Sequence, residues 1–351
     1  MPATIHDVAR QAGVSIATVS RVLAGNYPVA TATRQRVVDA VTTLDYSVNP
    51  NARRLRGASL GPIAVILGSI TGPSFAALAQ GVEAEARARG RMCLIGVTGG
   101  DHEREIEFVG LMRRQRAAAI VVPGGSWHDD SHRDRMARYA QQLAAEGLRL
   151  VLCGSRELDA DNQDAIVISY DNEDGAERIA RHVAEAGHRR ILLLPGNTQG
   201  SAAAQRLKGF TRAFAEYSGT ELLVRETTFD RGPAHTMALT VLDELAPGGG
   251  RPPFTAVLCG TDQMAAGVLE ALQERGLRCP DDVSVTGYDD TPLACDLSPR
   301  LTTVRVPYER IGALAVSQAL DGAPASPTVL PTELMVRSSV AAPAGDRHNT
   351  A

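Results

Sequence analysis

The sequence has no paired cysteines and no long apolar runs. Its five cysteines are scattered and include no CxxC pair, which argues against a disulfide framework or a zinc site and predicts reduced, mostly buried thiols. No apolar run approaches the roughly 20 residues that a membrane span needs. The first residues have neither the basic start nor the apolar core of a secretory signal. We therefore expect a cytoplasmic protein without a membrane partner.

Common catalytic motifs are also missing. No GxGxxG follows a predicted strand, and GxxxxGK[ST], HExxH and GxSxG do not occur. The glycines of VVPGGSW, residues 121–127, are typical of a turn rather than of a phosphate cradle, and the eight histidines do not cluster at metal-ligand spacing. We therefore expect no enzyme, no catalytic residue, no metal and no cofactor.

Positive charge is concentrated at the N-terminus. The 351 residues leave room for two or three domains and carry a net charge of −4. Residues 1–57 contain seven arginines against three aspartates, so this segment is +4 and the remaining 294 residues are −8. Only the N-terminal segment is suited to bind a polyanion.

The stretch DVARQAGVSIATVSRVLAG, residues 7–25, contains two short amphipathic helices with Gly13 between them. Thr4 and Asp7 are suited to start the first helix, and Ser15 is suited to cap the second. This is the helix-turn-helix pattern, whose second helix can enter the DNA major groove. A helical hairpin without DNA-binding activity is the alternative at this point. The residues predicted to be buried are Val8, Ala9, Ala12, Val19, Val22 and Leu23.

The outer face of the second helix is suited to read DNA. Ile16 and Ala17 are small enough for a close approach to bases, and Arg21 can donate two hydrogen bonds to guanine. Thr18 or Ser20 can reach phosphate. A third helix over 31–44 completes the core; its predicted apolar stripe is Val37, Val38, Val41 and Leu44.

Residues 46–57, YSVNPNARRLRG, have the composition of a short helix that forms on a partner. Asn49 and Pro50 can begin it, but a helix this short and arginine-rich is marginal alone. We expect the arginines, Arg53 and Arg54 among them, to meet phosphates or a narrow minor groove, and Leu55 to wedge between base pairs. A solvated linker is the alternative.

From Gly61 onward, apolar strands alternate with helices. This alternation predicts parallel sheets that are covered on both faces, arranged in two subdomains with a cleft between them. The first series of predicted strands is 62–67, 92–97, 118–123 and 149–154, with helices near 75–89, 102–115 and 133–146. The second series is 165–169, 190–194, 222–226, 256–260 and 283–288, with helices near 173–185, 205–217, 235–245 and 262–275.

Candidate ligand-binding side chains follow these strands, where parallel sheets bind their ligands. An arginine and a carboxylate can hold neighbouring hydroxyls, and an aromatic ring can cover the apolar side of a sugar. Asp262, which follows the same strand as Thr261, is better suited to cap a helix than to bind a ligand, and Phe75 or Phe229 could belong to the core. The candidates for effector binding are Phe75, Arg206, Phe229, Thr261 and Asp289.

In order and spacing, several stretches resemble the LacI/GalR family of bacterial transcription regulators, from about residue 3 to 340. They are TIHDVARQAGVSIATVSRVLAG, TRQRVVDAVTTLDYSVNPNARRLRG, DNEDGAERIARHVAEAGHRRILLLPG, RLKGF, TDQMAAGVLEAL, PDDVSVTGYDD and LTTVRVPYERIGALAV. The resemblance implies an N-terminal all-α helix-turn-helix head with a hinge helix, followed by an α/β periplasmic-binding-protein-like body of two subdomains with parallel sheets.

The implied domains are the head (residues 1–48), the hinge (49–60), the body (61–340) and a tail (341–351) without apolar heptads. Within the body, the chain is expected to cross between subdomains near 158–164, 289–295 and 321. The second helix is then the recognition helix and Leu55 the intercalating leucine. The candidate DNA-binding residues are Thr4, Ser15, Ile16, Ala17, Thr18, Ser20, Arg21, Arg34, Asn49, Arg53, Arg54 and Leu55.

The resemblance further implies a homodimer that binds a near-palindromic double-stranded DNA operator, most simply as a repressor. Arg206, Asp289 and the Thr261 position match effector-contacting residues, and the two phenylalanines match apolar covers. Thr261 stands where many sugar-binding members have asparagine, and CGSRE, residues 153–157, lacks an aspartate that is often found there. A sugar or sugar derivative is the leading effector. A purine or other metabolite, and a non-regulatory sugar-binding protein, are the alternatives.

Overall fold

The computed structural model describes residues 3–24, 28–46, 61–124, 130–154, 164–248, 250–322 and 327–343. The chain divides into two compact units, Met1–Leu60, which contains the head, and Gly61–Ala351, which contains the body. The predictions for Asn49, Arg53, Arg54 and Leu55 lie outside the described residues, as does most of the tail.

The head is a three-helix unit, as its sequence predicts. Gly13 ends the first helix in the left-handed conformation, with φ of 63°, which glycine adopts without the usual steric cost. Ser15 Oγ accepts a hydrogen bond from the Thr18 N–H at 3.1 Å and so caps the second helix. The helices are α1 (Ile5–Ala12), α2 (Ile16–Ala24) and α3 (Thr31–Thr43).

The predicted apolar stripe of α3 is wrong at one position. Val38 is 46% exposed, whereas Val37 and Ala40 are buried. The i, i+3 spacing of Val37 and Ala40 places both on the face that packs on α1 and α2, and Val38 is turned away from it. The core of the head is formed by Val8, Ala9, Ala12, Val19, Val22, Val37 and Ala40.

The body contains two parallel sheets and a two-stranded antiparallel ribbon. The strands are β1 (Ile63–Leu67), β2 (Cys93–Val97), β3 (Ala119–Pro123), β4 (Arg149–Cys153), β5 (Ala165–Tyr170), β6 (Arg190–Leu194), β7 (Glu221–Val224), β8 (Ala256–Cys259), β9 (Ser284–Thr286), β10 (Thr303–Arg305), β11 (Thr328–Leu330) and β12 (Glu333–Met335). The helices are α4 (Pro73–Ala88), α5 (His102–Arg114), α6 (Asp130–Ala145), α7 (Asn172–Glu185), α8 (Ser201–Phe214), α9 (Arg231–Leu245), α10 (Asp262–Glu274), α11 (Pro292–Asp296) and α12 (Tyr308–Asp321).

The six-stranded sheet has the order β11-β5-β4-β3-β1-β2, and the four-stranded sheet has the order β7-β6-β8-β9. Every residue of β1, β5 and β8 is buried, as expected for parallel strands with helices on both faces.

In the described part of the chain, no helix is long and apolar enough to cross a membrane. All five cysteines are free, but only Cys153 and Cys259 are buried and Cys295 is exposed.

The assignment of β5 to the second series of strands is wrong. This strand pairs with β4 from Leu150–Ala165 to Cys153–Ile168 and therefore belongs to the six-stranded sheet. A continuous apolar run shows that a strand is buried on both faces, but it does not identify the neighbouring strand.

The expected crossing points between the subdomains also require correction. The chain leaves the six-stranded sheet only after Tyr170, returns between Arg305 and Tyr308, and leaves again between Leu330 and Glu333. The expected positions near 158–164, 289–295 and 321 come before β5, β10 and β11, respectively, so each lies too early in the chain. Strands β10, β11 and β12 have only three residues each, and periodicity gives no signal for strands this short.

Helices α4 and α12 pack at unusually close range because each has a glycine at the contact. A methyl group on Gly81 would overlap the backbone carbonyl of Glu309, and one on Gly312 would overlap the carbonyl of Leu78. Since α12 also packs on the six-stranded sheet, this contact holds Tyr308, the first residue of α12, in position.

We expect Gly81→Ala to lower the free energy of unfolding by about 1–3 kcal/mol, because backbone cannot yield to the added methyl group. Gly110→Ala in α5 is the matched control. Its methyl group would meet only the end of the Arg114 side chain, so the better helix propensity of alanine should raise stability by about 0.5–1 kcal/mol. Urea titration followed by circular dichroism measures both. Equal effects of the two substitutions would contradict the close contact.

Candidate effector site

A cavity of about 380 Å³ lies where the carboxyl ends of the two parallel sheets meet. The structure brings all five predicted effector-binding residues to it: Phe75, Arg206, Phe229, Thr261 and Asp289. Each follows a strand of the six- or four-stranded sheet, as the sequence analysis expects. The volume lies within the range of small-molecule sites.

Arg206 is the central polar residue of the cavity and is only 2% exposed. Its Nη2 lies 3.1 Å from Asp289 Oδ1, and its Nε donates to Asn172 Oδ1 at 3.0 Å. Its Nη1 donates to the carbonyl oxygen of Gly260, and Nη2 also lies 3.4 Å from the Tyr170 hydroxyl. A buried guanidinium needs such partners, since an unpaired buried charge is very costly.

Two aromatic rings flank the same guanidinium. Arg206 Cζ lies 3.9 Å from the centre of the Tyr288 ring and 5.6 Å from that of Phe229. Burial acts most strongly on Arg206 and lowers its pKa, but the Asp289 carboxylate and the neighbouring tyrosines together outweigh burial and raise that pKa. The guanidinium therefore stays charged and fixed, because hydrogen bonds hold its nitrogen atoms and the two aromatic rings cover its faces.

Asp289 has a backbone conformation that few residues adopt, with φ of 104°. Its Oδ1 accepts a hydrogen bond from the Tyr308 hydroxyl at 2.8 Å in addition to the one from Arg206. Burial raises the pKa of the Asp289 carboxyl, and Arg206 and Tyr308 partly offset that rise. Strained backbone of this kind persists only where surrounding contacts enforce it, and it is common at ligand sites.

Tyr170 and Tyr308 are site residues that the sequence analysis missed. Both line the cavity, and their hydroxyls are 3.4 Å apart. Tyr170 is the last residue of β5, so its place at the carboxyl end of a strand could have indicated it. Tyr308 gave no comparable signal, because it begins a helix and reaches the cavity only through the packing of α12 on α4.

Thr261 has a structural role besides its place in the cavity. Its Oγ1 caps α10 by accepting from the Met264 N–H at 3.2 Å, and it donates to the Phe229 carbonyl at 3.1 Å. Asp262 does not cap the helix by its side chain, contrary to the leading interpretation from sequence. Its carboxylate instead accepts from the Thr291 N–H at 2.7 Å and the Thr303 hydroxyl at 2.6 Å. This carboxylate therefore connects the start of α10 to the chain on either side of α11.

Phe75 and Phe229 form apolar parts of the cavity wall. Phe75 packs at the margin of the main core, so it is partly a core residue. Phe229 is 37% exposed, and its ring lies so close to Gly196 and Gly260 that a methyl group on Gly196 would overlap the ring. Glycine at these two positions therefore leaves room for the ring.

In the head, the described candidate DNA-binding residues lie at or near the surface. Thr4, Ser15, Ile16, Ala17, Arg21 and Arg34 are exposed, and Thr18 and Ser20 are half-buried. The Ser15 and Thr18 hydroxyls are 2.9 Å apart, so part of the hydrogen-bonding capacity of this pair serves the helix cap. The short side chains of Ile16 and Ala17 leave the start of α2 open to close approach.

Among the residues that the structure describes, His235, Glu270 and Glu274 form a group of potential metal-ligating side chains. His235 Nε2 lies 3.0 Å from Glu274 Oε1, and Glu270 forms an ion pair with Arg231 at 2.9 Å. Each member of this surface group therefore has a protein partner.

A compact helix-turn-helix head and a two-sheet body with a ligand-sized cavity define the class of ligand-binding transcription regulators. The chain matches the family described as bacterial regulatory proteins, lacI family, over residues 4–49, and the periplasmic binding protein-like domain over residues 180–340. It belongs to the lacI family and is a DNA-binding transcriptional regulator.

Similar proteins cover nearly the whole chain. The transcriptional regulator GalR of Escherichia coli is 35% identical over 318 residues, which span 91% of this chain and 88% of GalR. The structure of the lac repressor dimer bound to operator and the anti-inducer ONPF has a TM-score of 0.81 at 25% identity and covers 97% of this chain and 100% of the repressor chain. The complex of the regulator CelR with cellobiose has a TM-score of 0.67 at 27% identity, with coverages of 96% and 99%.

We expect stability to depend on the ionisation of Asp262. Burial, followed by repulsion from Asp289, raises the pKa of this carboxyl to about 7. The folded protein then holds a proton that the unfolded chain releases above about pH 4, so stability falls as pH rises from that value to about 7. Asp262→Asn resembles the protonated form and does not titrate. The free energy of unfolding of this variant minus that of the wild type should therefore increase by about 2–3 kcal/mol between about pH 5 and pH 8.

Chemical denaturation at the two pH values measures this change, with Asp282→Asn as the control. Its backbone hydrogen bond from Arg278 lowers the pKa of Asp282, so this carboxyl is ionised throughout the interval and its substitution should have a constant effect. A constant effect of Asp262→Asn would mean that Asp262 is ionised as well.

Proposed function

We propose that this regulator is a repressor that binds a near-palindromic operator as a homodimer and responds to a sugar or sugar derivative. The observation that carries the proposal is the cavity in which Arg206 and Asp289 form a fixed polar floor beside Phe75 and Phe229. The lac repressor dimer on its operator and the cellobiose complex of CelR support the same assignment by similarity.

The arrangement of polar and apolar groups favours a carbohydrate. Among the described residues, both side-chain hydrogen bonds to Asp289 end on Oδ1, so Oδ2 is available to accept from a ligand hydroxyl. The Phe75 and Phe229 rings can cover the C–H face of a sugar ring. A cavity of about 380 Å³ accommodates a monosaccharide or a small oligosaccharide.

An exposed apolar edge of the body supports the homodimer. Strand β2 forms one end of the six-stranded sheet, and its Ile95 is 46% exposed. An open sheet edge with apolar side chains favours association unless it is covered. The exposed apolar residues of β2, α5 and the adjoining loops are Ile70, Met92, Ile95, Val97, Ile106 and Leu111. A twofold assembly through this edge would provide two heads for two half-sites.

Regulation requires that the effector bind the DNA-binding and DNA-free forms with different affinity, typically by a coupling of about 1–3 kcal/mol. The cavity is suited to such a response because its walls come from both sheets, through Tyr170 and Tyr308 on one side and Arg206 and Asp289 on the other. Whether the effector releases the operator or promotes binding depends on which form it prefers.

We expect Arg21→Ala to weaken operator binding by about 1–3 kcal/mol and to relax base preference, while binding to random DNA changes far less. The reason is that a guanine contact carries sequence information and a phosphate contact does not. Arg10→Ala removes the same charge from the outer face of α1 and serves as the control. Fluorescence anisotropy with operator and random duplexes measures both. Equal weakening on the two duplexes by Arg21→Ala would make Arg21 a phosphate contact.

We expect Arg206→Ala to abolish the effector response, because the central donor of the cavity is lost. It should also lower stability by about 3–5 kcal/mol, since Asp289 then remains buried without its cation. Arg212→Ala on the outer face of α8 removes an exposed arginine from the same helix and should keep the response. Phe229→Ala removes a partly exposed wall residue and provides a second test that should leave the fold intact.

The measurement is operator binding across a titration of a sugar that stabilises the wild-type protein in a thermal-shift screen. A normal response in folded Arg206→Ala, together with a normal response in Phe229→Ala, would place the effector elsewhere.

A further inference from the structure

Among the described residues, every arginine that lines the cavity already has a protein partner. The two arginines are Arg206 and Arg231. Arg206 is already bonded to Asp289, Asn172 and the Gly260 carbonyl, and Arg231 forms an ion pair with Glu270 at 2.9 Å. A phosphate or carboxylate in the cavity would have to compete with these partners.

Carboxyl groups are more abundant than arginines in the same wall. Asp230 and Asp289 line the cavity as carboxylates, and Asp262 adds a third carboxyl group, which ionises only near pH 7 and above. An anionic ligand would bring one more negative charge close to these groups. Like charges brought together at a binding site cost several kcal/mol in affinity.

Helix N-termini do not reverse this balance. Six of the described helices begin at the cavity, α11 after Thr291 and α12 at Tyr308 among them, and N-termini normally attract anions. Two of them already have a carboxylate there: Asp230 precedes α9 as its N-cap, and Asp262 is the first residue of α10. Helix α4 begins with Pro73, which has no N–H to donate.

We propose that the effector is uncharged, a neutral carbohydrate and not a sugar phosphate or a sugar acid. This inference rests on the proposed carbohydrate effector and specifies that the effector carries no charge. The hydroxyls of a neutral sugar can donate to Asp289 Oδ2 and accept from N–H groups at the start of α8, and neither contact requires a cation.

Isothermal titration calorimetry of the full-length wild-type protein tests the charge of the ligand. The probes are glucose, galactose, fructose and cellobiose, each beside its phosphate monoester, together with the nucleobases hypoxanthine and guanine. We expect a neutral sugar to bind and its phosphate ester to bind more weakly by about tenfold or more. The preference should persist at high salt, because buried charges are poorly screened.

A variant that adds a cation provides an independent arm. Ala202 lines the cavity at the start of α8, whereas Ala204 on the same helix does not. Ala202→Lys should narrow or reverse the preference for the neutral sugar, and Ala204→Lys should leave it unchanged. Circular dichroism of both variants checks that they fold.

The outcomes separate the charge from the class of ligand. A phosphate ester that binds the wild type as tightly as its parent sugar overturns the inference but leaves a carbohydrate effector in place. Binding of a neutral nucleobase alone supports an uncharged ligand and overturns the proposed sugar effector. An unchanged preference in Ala202→Lys would mean that the wall charge does not set the selectivity, which also overturns the inference.

Discussion

The buried ion pair of Arg206 and Asp289 is the interaction on which the cavity depends. A guanidinium that is 2% exposed is tolerated only when carboxylate, carbonyl and amide groups satisfy its donors. Those partners come from different parts of the chain: Asn172 at the start of α7, Gly260 after β8 and Asp289 after β9. Because all three groups bind the same guanidinium, Arg206 fixes the three loops at the carboxyl ends of their strands.

The same ion pair reaches across the cleft. Tyr170 and Tyr308 belong to β5 and α12 on the side of the six-stranded sheet, yet their hydroxyls contact Arg206 and Asp289. Closely packed backbone at Gly81 and Gly312 sets the position of α12 and therefore of Tyr308. A ligand that displaces any member of this network alters contacts on both sides of the cavity, which is the physical requirement for a ligand-dependent rearrangement.

The buried side chain of Asp262 connects separate segments of the chain. Its two oxygens accept from Thr291 and Thr303, so it holds together segments that precede and follow α11. The proximity of Asp289 raises its pKa further. The described cavity wall thus combines two paired arginines with three carboxyl groups, and its charge is a property of the assembled loops rather than of any one motif.

Periodicity and the position after a strand are local properties, so the sequence predicts the helix-turn-helix head, the parallel strands and the five candidate effector residues. It did not determine that β5 joins the six-stranded sheet, that Asp262 bridges two threonines, or that Tyr308 reaches Asp289. These features depend on which apolar faces pack together, and residues far apart in sequence decide that. A pattern of buried side chains specifies that a face will be covered, and only the tertiary structure determines by what.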